Sequence, residues 1–395
     1  MPARRMIDFL ALKPSLVVLL VMVVLVGLGS RMAERFLPIY LIALGAGPMA
    51  IGLLNGLTNL LSALYAFAGG TVSDRVGSKR ALMIFNLMAV LGFSIVIAIP
   101  SWPAVIVGAL FFHSWSAISL PAAVGLIYQV LPAGKRTMGI SMHSMVQRIP
   151  MALGPVIGGL MIDRWGEVPG TRIAFAVAAL LAAVSALIQQ RWLPEASATA
   201  QGSSGPLSLK AVCRLDFPPA WKNLLVADIL VRFCEQIPYA FVVVWCMKRI
   251  ASPVTAAQFG VLTAIEMATA MLIYVPVAVY ADRGPKKPFV TATFLFFSLF
   301  PVALYFCESF AWLAAAFVLR GLKEFGEPSR KALILELSPD HARASAFGLY
   351  YLIRDGIVAL AVLGGAVLWQ VDPRANLLAA AAFGLLGTAW FARKG

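Results

Sequence analysis

Arg320-Gly321-Leu322-Lys323-Glu324-Phe325-Gly326-Glu327-Pro328-Ser329-Arg330-Lys331 lies in the middle of a membrane-length segment, Phe310 to Leu337. Ala311 to Leu319 before it and Ala332 to Leu335 after it are all apolar. At about 1.5 Å per residue the roughly 28 positions of that segment reach ~42 Å, enough to cross a bilayer with Lys323 and Glu324 near its midplane. A charge there costs about 2.5–3.5 kcal/mol on insertion scales and persists only where it faces protein or water. Positions 320, 323/324, 327 and 331 step by three and four, so they share one stripe of a helix. The pattern predicts a single long helix whose charged stripe faces an internal polar cavity.

The rest of the chain supports that reading. Of 395 residues, 61% are hydrophobic and 13% charged, and the mean hydropathy is +0.86. A soluble domain carries about 25% charged residues. The sequence therefore specifies an all-α membrane protein. Its four cysteines make no CxxC pair and its three histidines are scattered, so no disulfide framework, metal site or cofactor is expected. Gly45-Ala46-Gly47-Pro48 resembles half a nucleotide loop but lacks the strand–helix context such a loop needs. No nucleophile–base spacing appears, which argues against an enzyme.

Apolar segments predict twelve spans, at about 14–42, 48–72, 79–99, 103–131, 138–162, 172–192, 221–247, 255–280, 286–307, 310–337, 342–369 and 374–392. Residues 1–193 form a first six-helix unit, 194–220 a polar linker containing Ser203-Ser204-Gly205-Pro206, and 221–395 a second six-helix unit. The basic N-terminus followed by an apolar run mimics a secretory signal, but the run is too long, so it is read as the first span. Lys and Arg crowd one set of loops, with Arg4, Arg5, Lys79, Arg80, Lys135, Arg136, Lys286, Lys287, Arg393 and Lys394 among them. The opposite loops hold Arg164, Arg172, Lys248, Arg249 and Arg374. That asymmetry predicts a multi-pass protein of the cytoplasmic (inner) membrane with both termini inside. It also assigns the +14 net charge to anionic lipid headgroups rather than to nucleic acid.

The two halves repeat each other. Arg31-x-x-Glu34 precedes Pro38, and Arg232-x-x-Glu235 precedes Pro238. Arg148 stands ten residues before Gly158-Gly159, and Arg354 stands ten before Gly364-Gly365. Asp74-Arg75 after the second span matches Asp282-Arg283 after the eighth. Duplicated halves with a site near the midplane are a transporter architecture.

Gly70-Thr71-Val72-Ser73-Asp74-Arg75-Val76-Gly77-Ser78-Lys79-Arg80 resembles the loop signature G-x-x-x-D-R-x-G-R-K of the major facilitator superfamily, with Ser78 in place of a basic residue. The second copy, at Asp282-Arg283, is one residue shorter before its glycine. Gly154-Pro155-Val156-Ile157-Gly158-Gly159 is similar to the G-P-x-x-G-G motif of that superfamily's drug/proton antiporters, although Pro150 stands where the motif favours Gly. The resemblance implies two six-helix bundles, a central cavity lined by spans 1, 4, 7 and 10, and a gate that includes Asp74 and Arg75. Those antiporters carry an arginine in the fourth span. Here His113 is the nearest equivalent, and Arg320 carries the arginine in the repeat partner.

Charged residues at apparent membrane depth supply the candidate site. The substrate and proton set is Arg31, Glu34, His113, Arg148, Arg232, Glu235, Glu266, Arg320, Lys323, Glu324, Glu327, Arg354 and Asp355. Basic and acidic residues at this depth nearly balance, so mutual pairing that merely holds helices together competes with a role in transport. Carboxylates are the proton carriers of choice. Glu34 beside Arg31, and Glu235 beside Arg232, would exchange protons as a solute competes for the arginine. Glu266 has no charged residue within a turn of its own helix, which makes it the expected protonated carboxylate. Arg330, Lys331 and Glu336 lie towards the cytoplasmic end of the tenth span and are expected to snorkel.

These features predict a monomeric secondary transporter that moves a small organic solute by alternating access, with proton-coupled efflux as the first reading. The alternatives are proton-linked uptake or exchange of a polar, zwitterionic or anionic metabolite, and lipid handling or sensing on the same fold.

Overall fold

A computed structural model describes residues 14–113, 115, 127, 143, 145–193, 217–281, 285–339 and 343–395; for 62–75, 78, 274–276, 278–281 and 343–345 it describes the backbone alone. Among the described residues every regular element is a helix. The first span is α1 (Pro14–Glu34) and α2 (Leu37–Ala43), followed by α3 (Pro48–Val76), α4 (Ser78–Ala98) and α5 (Trp102–His113). The fifth and sixth spans are α6 (Arg148–Trp165) and α7 (Glu167–Trp192). The seventh is α8 (Pro219–Tyr239) with α9 (Val242–Lys248), and α10 (Ala256–Ala281) and α11 (Lys287–Phe306) follow. The tenth is α12 (Phe310–Gly321), a 3-10 turn at Leu322–Glu324, and α13 (Glu327–Glu336). The last two are α14 (Arg343–Val371) and α15 (Pro373–Lys394).

These helices fall on all twelve expected spans, the fourth in its first part. Eight helical segments among the described residues are long and apolar enough to cross a membrane. Their outer faces leave Leu187, Leu272, Phe306 and Leu360 exposed, as a surface solvated by lipid requires.

The tenth span departs from the expected single helix. It breaks over Leu322–Gly326, and Glu327 starts a new helix. Two glycines weaken the helix here, and Pro328 lacks an N–H and crowds the carbonyl four residues back. At α13 the proline instead takes an early helical position, where its missing N–H costs nothing. The Gly326 N–H freed by the break is donated to the Thr293 hydroxyl on α11. The first span also breaks just before a proline, Pro38 at the start of α2, whereas the seventh breaks just after Pro238, the last residue but one of α8. In both, the Arg-x-x-Glu pair lies just before the break.

The chain forms two units. Unit 1 is residues 1–46, 58–201 and 255–261, and unit 2 is residues 47–57, 202–254 and 262–395. In unit 1, α6 packs on α1 through glycines. A Cβ at Gly158 would stand 1.9 Å from the Met32 carbonyl oxygen, and one at Gly154 would stand 2.6 Å from the Arg31 Cβ. The Gly-Pro-x-x-Gly-Gly stretch is thus a backbone-to-backbone seam against the helix that carries Arg31 and Glu34. Unit 2 repeats the device. A Cβ at Gly365 of α14 would stand 2.4 Å from the Ile237 carbonyl oxygen, on the helix that carries Arg232 and Glu235. Asn376 of α15 closes this seam by donating to the carbonyls of both Ile237 and Gly365, at 3.2 and 2.7 Å. The apolar core of unit 2 centres on Trp221, Leu224, Val231, Phe294, Ile334 and Tyr350.

Candidate functional site

Unit 2 gathers charge from four spans, the seventh, eighth, tenth and eleventh. α8 presents Asp228, Arg232 and Glu235, which its four- and three-residue steps align on one face. Around Lys323, two carboxylates from different helices converge: Glu235 Oε1 at 2.9 Å and Glu266 Oε1 at 3.2 Å. Each of those carboxylates also has an arginine. Arg232 Nη1 lies 2.6 Å from Glu235, and Arg320 Nε lies 3.3 Å from Glu266. The Arg320 guanidinium stands over the rings of Phe300, Phe317 and Tyr239 at 4.9, 5.6 and 5.9 Å. Such stacking favours a desolvated arginine.

A second cluster centres on Asp228. Its carboxylate accepts from Arg330, from Arg354 Nη1 at 3.3 Å and from the Tyr350 hydroxyl at 3.1 Å. Glu327 binds Arg330 through both its oxygens, at 3.0 and 2.7 Å. Arg354 also holds Asp355 and lies over the Tyr351 ring at 4.2 Å. Arg232 joins the two clusters, because it lies 3.8 Å from Asp228 and 3.7 Å from Glu327 as well as against Glu235.

Two expectations are corrected here. Glu266 is not isolated: its cations are Arg320 at the end of α12 and Lys323 in the 3-10 turn that follows, where inspection of its own helix does not reach. Arg330 does not snorkel, since 1% of its side chain is exposed and Asp228 and Glu327 hold it. Lys331 and Glu336 do reach outward, Lys331 with 51% of its side chain exposed and Glu336 paired with Lys286.

Unit 1 offers a sparser constellation. Arg31 and Glu34 pair at 2.9 Å with 23% of each side chain exposed. His113 Nδ1 lies 3.9 Å from the other oxygen of Glu34. The Arg-x-x-Glu pairs of both halves are thus formed in the same way, and the histidine of the fourth span faces the first pair. Arg148 is the first residue of α6. Glu324 lies in the 3-10 turn and acts electrostatically on Lys323.

Of the loop signature, Gly77 has φ +85°, a backbone that favours glycine, and begins α4. Lys79 donates to the Gln190 carbonyl at 3.4 Å, and Arg80 is exposed. Gly70, Asp74 and Arg75 lie on α3, where only the backbone is described, and Asp282 and Arg283 lie outside the described residues. Asp228, Arg330 and Tyr350 were missing from the candidate set. The available signal was Asp228 itself, an acid inside an apolar run four residues before Arg232.

The profile of the Major Facilitator Superfamily matches residues 19–251 and 229–394. The chain belongs to this superfamily. It is 29% identical over 139 residues to an uncharacterised MFS-type transporter of Mycobacterium tuberculosis, an alignment spanning 35% of this chain and 33% of the relative. An uncharacterised MFS-type transporter of Methanocaldococcus jannaschii is 19% identical over 359 residues, 89% of this chain and 87% of its own. The tetracenomycin C resistance and export protein of Streptomyces glaucescens is 29% identical over 138 residues, 33% of this chain and 25% of its own. Alignment with the mycobacterial and Streptomyces relatives thus spans a third or less of their length.

Among solved structures, the nucleoside transporter NupG superposes with a TM-score of 0.79 at 15% identity, covering 96% of this chain and 99% of that one. A bacterial homologue of the human lysosomal transporter Spinster gives 0.69 at 15% identity, covering 96% and 97%. At such identities these likenesses show the fold alone. The superfamily member described here is a multi-pass integral membrane protein.

Proposed function

We propose that this superfamily member exports a small organic, amphipathic solute across the cytoplasmic membrane in exchange for protons, by alternating access, as a monomer with both termini inside. The observation that carries the reading is the sharing of Lys323 between Glu235 and Glu266. One cation serving two carboxylates at membrane depth makes a site in which partners can be exchanged. A carboxylate that loses its cation there takes a proton rather than remain charged in a poor solvent for ions. Similarity over part of the chain to an antibiotic export protein supports the outward direction, as does the antiporter-like seam at Gly154, Pro155, Gly158 and Gly159. Asp74, Arg75, Asp282 and Arg283 are proposed as gate residues.

The test is solute-dependent proton movement in proteoliposomes carrying the purified protein, with the solute chosen by a thermal-shift screen of antibiotics and metabolites. Imposed pH gradients should drive solute against its own gradient, and Glu266→Gln should abolish that drive while leaving the protein in the membrane. Solute flux indifferent to the pH gradient in both proteins would defeat proton coupling. The direction in which flux responds separates export from proton-linked uptake. Uptake of an anionic or zwitterionic metabolite is the second reading, and it is favoured by the accessibility of Lys323.

A further inference from the structure

A recess of unit 2 is lined by Phe296, Phe297, Phe300 and Val242 together with Glu235, Arg320 and Lys323. Its lining joins an apolar, aromatic wall to a few charged groups, the usual composition of a small-molecule site. The recess holds about 10 Å³, room for about one water and for no solute. Anything that binds here with a polar group must therefore take a place that a side chain now fills.

Three cations and the carboxylates beside them decide which kind of group can do so. Glu235 has Arg232 at 2.6 Å and Glu266 has Arg320 at 3.3 Å. Each acid keeps an arginine beside it when Lys323 leaves, and a proton can make good the share of positive charge that it loses. Among the described residues, the two carboxylates in contact with Lys323 each also bind an arginine, and Glu324 adds to its field. Lys323 is more accessible than Arg320, with 13% of its side chain exposed against 5%, and Arg232, at 19%, is held by Glu235, Glu327 and Asp228 together. An incoming cation would have to displace an ammonium that is tethered in place and take a carboxylate from it. An incoming anion evicts only a carboxylate that keeps another partner. The three nearby acids oppose a second negative charge on the solute.

We propose that Lys323 is the anchor for the single anionic group of the solute, with Phe297 and Phe300 receiving an aromatic or branched apolar body, so that the cargo class is an organic monoanion. This rests on the reading that this face meets cargo, and it holds for either direction of transport.

The experiment uses the full-length protein in detergent and an isosteric series of probes: 3-phenylpropionate, 3-phenylpropionamide and 3-phenylpropylamine. Binding is read as the rise in apparent melting temperature with probe concentration, since a ligand of the folded state raises it. The carboxylate should stabilise the wild-type protein at concentrations at least tenfold below those at which the amide or amine acts. Lys323→Gln should remove that preference, Lys323→Arg should keep it, and Phe300→Ala should weaken all three probes alike. Equal or stronger stabilisation by the amine or amide in the wild type overturns the proposal, whatever the variants do. So does a carboxylate effect that survives Lys323→Gln, or the absence of any carboxylate effect. A protein that fails this series yet shows solute-driven proton flux loses the substrate class and keeps its function as a transporter.

Discussion

Arg330 and Asp228 are joined side chain to side chain although 102 residues separate them, and each has 1% of its side chain exposed. Arg354 and Tyr350 share the same carboxylate, so one acid ties α8, α13 and α14 together. Breaking such a pair from one side leaves uncompensated charge, at a cost of about 3–5 kcal/mol. Asp228→Asn should therefore lower the melting temperature of the purified protein sharply. The double variant Asp228→Leu with Arg330→Met should recover at least half of the loss, because Arg354 keeps Asp355 and Glu327 keeps Lys331 and Arg232. Equal melting of the single and double variants would show that the pair is not the source of the effect.

Glu336 provides the contrast. Its side chain is 55% exposed and bound to Lys286. Exposed pairs contribute about 0–1 kcal/mol and are screened by salt. Glu336→Gln is expected to melt within a degree or two of the wild type, and a large drop would mean that this end of α13 is buried by something else.

Neighbouring glycines on α14 should behave in opposite ways. A methyl at Gly365 meets the Ile237 carbonyl at 2.4 Å, whereas one at Gly364 meets nothing within 4 Å. Gly365→Ala forces two helices apart, at about 1–3 kcal/mol for overpacking. Gly364→Ala should be neutral or stabilising by up to about 1 kcal/mol, since alanine favours the helix. Parallel melting curves of the two variants decide the matter, and similar behaviour would refute the seam.

Removing the amide of Asn376 should loosen the same seam. Asn376→Ala leaves the Ile237 carbonyl, at the last turn of α8, without its side-chain donor and takes a second donor from the Gly365 carbonyl, at about 1–3 kcal/mol for a buried unsatisfied group. Because the Phe241 N–H, which a continuing helix would give to Ile237, is donated to the Pro238 carbonyl, hydrogen exchange around the α8–α9 break should rise first.

In unit 1, Glu34 is the acid between Arg31 and His113. Under the coupling proposed above, Glu34→Gln should flatten the pH profile of transport while the amount of protein in the membrane stays unchanged. An unaltered profile would confine proton handling to unit 2.

What could be read in advance follows the geometry of single helices. The Arg-x-x-Glu pairs were legible because three residues make nearly one turn, so both partners lie on one short stretch. The charged stripe at Arg320 and Lys323 was legible for the same reason. The break at Leu322–Gly326 was visible in its glycines and Pro328, but the reading gave more weight to the apolar flanks. The partners of Glu266 and Asp228 were not legible, because they sit on helices far along the chain and only packing brings them near. The glycine motif was recognised by its resemblance to a family, whereas its physical purpose, letting α6 touch the backbone of α1, needed coordinates.

The interrupted tenth span bears on how the chain is assembled. In ten residues α13 carries Glu327, Arg330, Lys331 and Glu336, and neither it nor α12 is long enough to cross lipid. A segment of this kind gains nothing by leaving the translocon alone. Its acceptor, Asp228, leaves the ribosome about a hundred residues earlier, already embedded in α8. The order of synthesis thus lays down the counter-charge before the charge that needs it, and the C-terminal half is expected to enter the bilayer as a cooperative group rather than one helix at a time.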